Sequence, residues 1–125
     1  MDFNNGKAIY LQIAEHVCEQ IMLEHWKAED RVPSVRELAV ELEVNPNTVM
    51  RTYDFLQQRN IIYNKRGIGF FVSPNSKSEV QAYKKGIFIE EELPRVFRNI
   101  YLLDIGLDEL KDRYQLFVDQ NFKTS

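Results

Sequence analysis

The side chains best suited to chemistry in this chain lie between residues 45 and 69, and their chemistry is recognition. Asn47, Thr48 and Arg51 are spaced to share one outward face of a helix. Such a face can read base edges in the major groove of DNA. Asparagine pairs with adenine, arginine with guanine, and a threonine methyl can touch the thymine methyl. Lys65, Arg66 and Gly67 follow in a polar turn suited to phosphate or minor-groove contact. Residues 45–69 carry Arg51, Arg59, Lys65 and Arg66 against Asp54 alone, a local charge of +3, while the whole chain carries −3. The balance excludes a protein that coats nucleic acid by bulk positive charge and fits a local cationic dock on an acidic body.

Other chemistries lack their residues. There is no nucleophile motif and no glycine-rich phosphate loop after a strand, so no enzyme is expected. Glu90-Glu91-Glu92 is a solvated run. Cys18, His16 and His25 have no ligand spacing, so neither a metal nor a cofactor is expected, and Cys18 falls on an apolar stripe as a buried residue. A single cysteine allows no intrachain disulfide. No apolar run approaches the roughly 20 residues that span a bilayer. Met1 to Gly6 has neither the basic nor the apolar region of a signal peptide. A cytoplasmic location with no membrane partner is the expectation.

The elements that must position the recognition residues can be read from periodicity and end signals. Ile9, Ile13, Val17 and Ile21, with Tyr10, Ala14, Cys18 and Met22 beside them, predict an amphipathic helix from about Ala8 to Trp26. Ser34-Val35-Arg36-Glu37 has the form of a capping box and opens a short second helix with Val35, Leu38, Ala39 and Leu42 inward. Asn45 as N-cap and Pro46 at the first helical position open a third helix almost at once. Val49, Tyr53 and Leu56 turn inward along it, and Asn60 ends it. Ile61-Ile62-Tyr63 and Phe70-Phe71-Val72 flank the polar turn as a hairpin, with Gly67 and Gly69 free to take positive φ. Two helices across a minimal turn, then a hairpin, describe a winged helix-turn-helix, whose second helix enters the major groove by its N-terminal residues. A winged-helix module that grips a protein instead of DNA is the alternative.

Three separated motifs then resemble the GntR family of bacterial regulators: Asp30 through Ala39, Val44 through Val49, and Arg66 through Val72. The Asn-Pro-Asn-Thr-Val wording, with a short tail in place of a large effector domain, is similar to the family's YtrA-type subgroup. The resemblance implies a dimeric repressor on a double-stranded DNA operator, in the subgroup usually one serving a membrane-transporter operon. Arg36 matches the family's DNA-contacting arginine at the start of the second helix. Asn47 and Thr48 match contact positions on the recognition helix, Gly67 matches the wing-tip glycine, and Arg51 matches a basic position common in the subgroup. With Ser34 and Asn45 at the two helix starts and Lys65 and Arg66 on the wing, these make the candidate DNA-binding set. Pro46 and Met50 stand where other branches place DNA-reading arginines, which implies a different operator. Glu29 and Glu43 stand where glycines are common, and Glu43 is expected in the left-handed region at some cost.

The chain therefore divides, by expectation, into a winged helix-turn-helix over residues 1–73 and a helical extension over 74–125. Ser73 to Ser78 has linker composition. Helices follow at about Glu79 to Glu91, Leu93 to Leu103 and Leu107 to Gln120, with Pro94 kinking one helix or starting another. Ile87, Val96, Phe97 and Ile100 give this tail apolar faces too large for short helices to bury alone. Leu103, Leu110, Tyr114 and Phe117 extend them. Packing on a second copy would make a homodimer and an inverted-repeat operator. The alternative is a tail folded back on its own winged domain. A small-molecule effector would have room only in a cleft between copies.

Overall fold

The computed structural model of this chain describes residues 6–123. The signal-peptide reading of Met1 to Asn5 and the last two positions of the expected extension lie outside the described residues.

The first apolar stripe forms α1 (Ile9–Met22), shorter at its far end than expected. Ile13, Ala14, Val17, Cys18 and Ile21 are buried on it, whereas Ile9 is 45% exposed because burial along α1 begins only at Gln12. Gln12 Nε2 donates to the Lys7 carbonyl at 2.7 Å, so its buried amide is satisfied. The capping box opens α2 (Val35–Leu42): Ser34 Oγ accepts from the Glu37 amide at 3.1 Å, and the Glu37 carboxylate accepts from the Ser34 amide at 2.9 Å. Glu43 ends α2 in the left-handed region at φ 57°, ψ 48°. Asn45 Oδ1 accepts from the Asn47 amide at 2.7 Å and, with Pro46, starts α3 (Pro46–Gln58).

α3 is the centre of the domain and packs on both α1 and α2. Val49, Tyr53 and Leu56 are buried, as their spacing predicts, and so is Thr52. The Thr52 hydroxyl donates to the Tyr10 carbonyl of α1 at 2.8 Å, which lets a polar side chain sit in the core. The Tyr53 hydroxyl donates to the Pro33 carbonyl at 2.7 Å and so ties α3 to the residues that lead into α2. Burial pushes the Tyr53 phenol well above its ordinary range. Asn60, at φ 60°, follows the helix end as the expected left-handed terminator.

β1 (Ile62–Lys65) and β2 (Gly69–Val72) pair antiparallel, with Ile62 opposite Val72 and Lys65 opposite Gly69. Residues 29–32 run along the other side of β2. The Val32 amide donates to Phe70 O, the Val72 amide to Asp30 O and the Glu29 amide to Val72 O, all at 2.8–2.9 Å, and Arg31 bridges to Phe71. The inner face of this wing buries Val32, Ile62 and Val72, and sets Phe70 edge-on to Tyr53 at 5.0 Å between ring centres. The fold is mainly α with one small hairpin, a winged helix-turn-helix followed by a helical extension.

Ser73 to Ser78 is a tight lead-in to α4 (Ser76–Ile87) despite its linker composition: Ser73 and Ser76 are buried, and Val80 carries the helix into the core. The residues up to Lys84 form one compact unit and Lys85 onward another. The second unit holds the end of α4, a π-helical turn (Phe88–Glu92), α5 (Leu93–Leu102) and α6 (Leu107–Asn121). Pro94, which has no amide hydrogen to donate, sits in the first turn of α5, directly after the π turn. No residue of the π turn, α5 or α6 is buried. Among the described residues no helix is long and apolar enough to cross a membrane.

Candidate nucleic-acid interface

The amino end of α3 is fixed by its cap, and the face beside it is open. Asn47 and Arg51 are exposed and Thr48 is half-buried. The Arg51 guanidinium lies over the Tyr10 ring, 3.9 Å from its centre. Stacking occupies the flat face of a guanidinium and leaves its edge N–H donors available, so Tyr10 limits where Arg51 points without consuming its hydrogen bonds. Ser34 Oγ and Asn45 Oδ1 are committed to their caps. The hydroxyl proton of Ser34 and the Nδ2 of Asn45 are the donors each has left. Arg36 is exposed in the first turn of α2. The Tyr53 tether to Pro33 holds that turn against α3.

Arg59 does not share this face. It lies about 12 residues beyond Asn47, roughly 18 Å along a helix of this rise. Its guanidinium stacks over Phe55 at 3.8 Å and Tyr83 at 5.1 Å. Of the four cations counted between residues 45 and 69, only Arg51, Lys65 and Arg66 remain for the α3 start and the wing.

At the wing tip, the Ile68 amide donates to the Lys65 carbonyl at 2.9 Å, closing a turn through Arg66 and Gly67. Gly67 has φ 79°, and a Cβ there would meet nothing within 4 Å. Backbone conformation, not crowding, requires the glycine, and the space around it is open to close approach by a partner. Arg66 and Ile68 are exposed beside it. Lys65, expected at the tip, is the last residue of β1. Its Nζ lies 4.3 Å from the centre of Phe71 and 5.9 Å from that of Tyr63, on the outer face of the wing.

Arg31 was not apparent as a site residue from the sequence. Its bridge to Phe71 puts it on that same outer face, and a Cβ on Gly69 would meet its Nε at 3.3 Å. The only signal in the chain is the alternation of residues 29–32 against β2, which is too short to be seen without the pairing. Nearby, the Glu29 carboxylate accepts from the Tyr63 hydroxyl, a contact that raises the Tyr63 phenol above its ordinary value. The Glu37 carboxyl is held below its ordinary range, chiefly by its hydrogen bonds with Ser34 and slightly by the charge of Arg31.

Cys18 is fully buried, and desolvation pushes its thiol up to about 11. His25 Nδ1 lies 2.9 Å from Gln20 Oε1. Among the described residues no group of His, Cys, Asp or Glu side chains could hold a metal ion.

The second unit presents apolar side chains outward. Phe97, Leu103, Tyr114 and Phe117 are more than half exposed, Val96 and Leu110 somewhat less, and Ile87 and Ile100 are half-buried.

Comparison with known proteins agrees with this geometry. Residues 9–72 match the family described as bacterial regulatory proteins, gntR family. The HTH-type transcriptional regulator YhcF of Bacillus subtilis is 31% identical over 94% of this chain and 95% of its own length. The HTH-type transcriptional repressor YtrA of the same organism is 32% identical over 90% of this chain and 85% of its own. The crystal structure of a GntR-family transcriptional regulator from Bacteroides thetaiotaomicron is similar at 46% identity and a TM-score of 0.77, covering 90% of this chain and 98% of that one.

Proposed function

This chain belongs to the gntR family of bacterial regulatory proteins, as a transcriptional regulator of the YtrA type with a DNA-binding helix-turn-helix, and on that premise we propose that it is a homodimeric repressor reading an inverted-repeat operator. The observation that carries the reading is the open amino end of α3. Asn45 and Pro46 fix where the helix begins, and Asn47 and Arg51 stand exposed just inside it. Asn47, Thr48 and Arg51 read base edges. Arg36, Arg66 and the Gly67 backbone engage the phosphates beside them, with Ser34, Asn45 and Lys65 at the margin of the contact. The protein acts in the cytoplasm, where its operator is.

Repression is supported by the name of the YtrA relative, and homodimerisation by the apolar side chains that α5 and α6 leave exposed. Two winged domains about one helical turn apart then match an approximate palindrome. The protein-gripping alternative is not favoured, because the relatives matched over nearly the whole chain are named as transcriptional regulators and repressors. Selection of bound fragments from the native genome tests the proposal. Enrichment of an inverted repeat upstream of a small number of genes supports it, and with them reveals whether a transporter operon is the target. Recovery of unrelated fragments, with affinity indifferent to salt, would refute it.

A further inference from the structure

The outer face of the wing carries an arrangement that the helix-turn-helix alone does not account for. Residues 29–32 hydrogen-bond along the free edge of β2, and Arg31 forms an isolated bridge opposite Phe71. Side chains alternate along a strand, so Gly69 is on the same face as Phe71, and Lys65 on the same face as Tyr63. Arg31 and Lys65 therefore enter this face from opposite sides of β2. Lys65 rests on Phe71, while Arg31 lies along Gly69, where an added Cβ would find Nε at 3.3 Å, Nη2 at 3.5 Å and Cζ at 3.8 Å. At Gly67 a Cβ would meet nothing. Both wing glycines hold a positive φ, 79° at Gly67 and 138° at Gly69, that a side chain takes only with strain. They differ in their surroundings: the space at Gly67 is open to a partner, and the space at Gly69 is lined by an arginine of the same chain.

The guanidinium held there is not used internally. Among the described residues Arg31 makes no ion pair, and the carboxylates of Asp30, Glu37 and Glu29 have other partners: Asp30 accepts from the Lys27 amide. Glu37 accepts from the Ser34 amide and Glu29 from the Tyr63 hydroxyl. Arg31 is exposed, and it lies between the wing and the start of α2, two of the three elements proposed to contact DNA. A planar fork of donors in that place suits a phosphate better than a base, because it lies beside the wing rather than at the helix end that enters the groove.

We propose that Arg31 is a phosphate-contacting residue of the DNA interface and that Gly69 is its positioning residue, keeping clear the path along which the guanidinium lies. This rests on the DNA-binding function proposed above. The test measures affinity of the full-length chain and its variants for the genome-selected duplex and for a scrambled duplex across a salt series. R31A should lower the slope of log K against log salt by about 0.9 and weaken both duplexes by the same factor, since a phosphate contact is blind to sequence. R31K should keep the slope. G69A should lower it in the parent and leave it unchanged in the R31A background, a non-additivity that simple loss of folding would not produce. A slope unaltered by R31A, a loss confined to the selected duplex, or a G69A effect that persists without Arg31 would each overturn the assignment. If the parent itself binds neither duplex, the DNA-binding reading fails before Arg31 is reached.

Discussion

Replacing Glu43 with glycine should stabilise the protein, and the gain can be worked from its backbone. Glu43 sits in the three-residue turn between α2 and α3 at φ 57°, ψ 48°, and its amide donates back towards the Ala39 and Val40 carbonyls. An L-residue held in the left-handed region costs about 1–2 kcal/mol. Glycine takes that conformation freely but loses about 0.5–1 kcal/mol more backbone entropy on folding, which leaves about 0.5–1 kcal/mol in its favour. Glu43 also places a negative charge at the C-cap of α2, where the helix dipole disfavours it, and its removal adds about 0.3 kcal/mol. The total is about 1 kcal/mol. With a urea dependence of about 2 kcal/mol per molar, the unfolding midpoint should rise by about 0.5 M, followed by circular dichroism at fixed protomer concentration. Glu43→Ala keeps the Cβ and removes the charge, so it should recover only the dipole part, about 0.3 kcal/mol. Glu29, at φ 70°, should gain less from glycine because its carboxylate also holds the Tyr63 hydroxyl. A midpoint unchanged in Glu43→Gly, or raised equally by Glu43→Ala, would refute the reasoning.

Arg51→Ala should cost about 1–3 kcal/mol of operator affinity if the arginine reads a base. Tyr10→Leu, which removes the ring beneath Arg51 together with its edge contact to Phe55, should cost about 0.5–1 kcal/mol, both measured by fluorescence anisotropy. Phe97→Glu should convert a dimer into a monomer at micromolar concentration in sedimentation equilibrium, and a persisting dimer would place the interface elsewhere. The Cys18 thiol stands at about 11 in the folded state against an ordinary value of 9.0. Its contribution to stability is therefore complete below pH 9 and is lost as pH rises from 9 through 11. The stability difference between the parent and Cys18→Ala should shrink from pH 8 to pH 10.5 in urea titrations.

What could be read from the chain were the features fixed by neighbours in sequence. Ser34 with Glu37, Asn45 with Pro46, and Asn60 each place a helix end through contacts a few residues long, and each helix ends or begins as expected. What escaped was set by partners far along the chain. Residues 29–32 are aligned only by their hydrogen bonds to β2, so Arg31 gave no sign of its position beside the wing. Arg59 adds to a local count of charge, yet its guanidinium belongs to Phe55 and Tyr83. Thr52 is polar and still buried, because the Tyr10 carbonyl is there to accept its proton. Ser73 to Ser78 has the composition of a linker, and Val80 beyond it draws the segment into the core.

The most direct test of the central claim is binding to the selected operator after about five base pairs, half a helical turn, are inserted between its half-sites. Two recognition helices held by one dimer cannot then reach both half-sites on the same side of the duplex. Affinity should fall about 100-fold or more, towards that of a single half-site, and a ten-base-pair insertion should restore part of it. Equal affinity for the native and the half-turn operators would contradict a dimeric reader built on Asn47, Thr48 and Arg51.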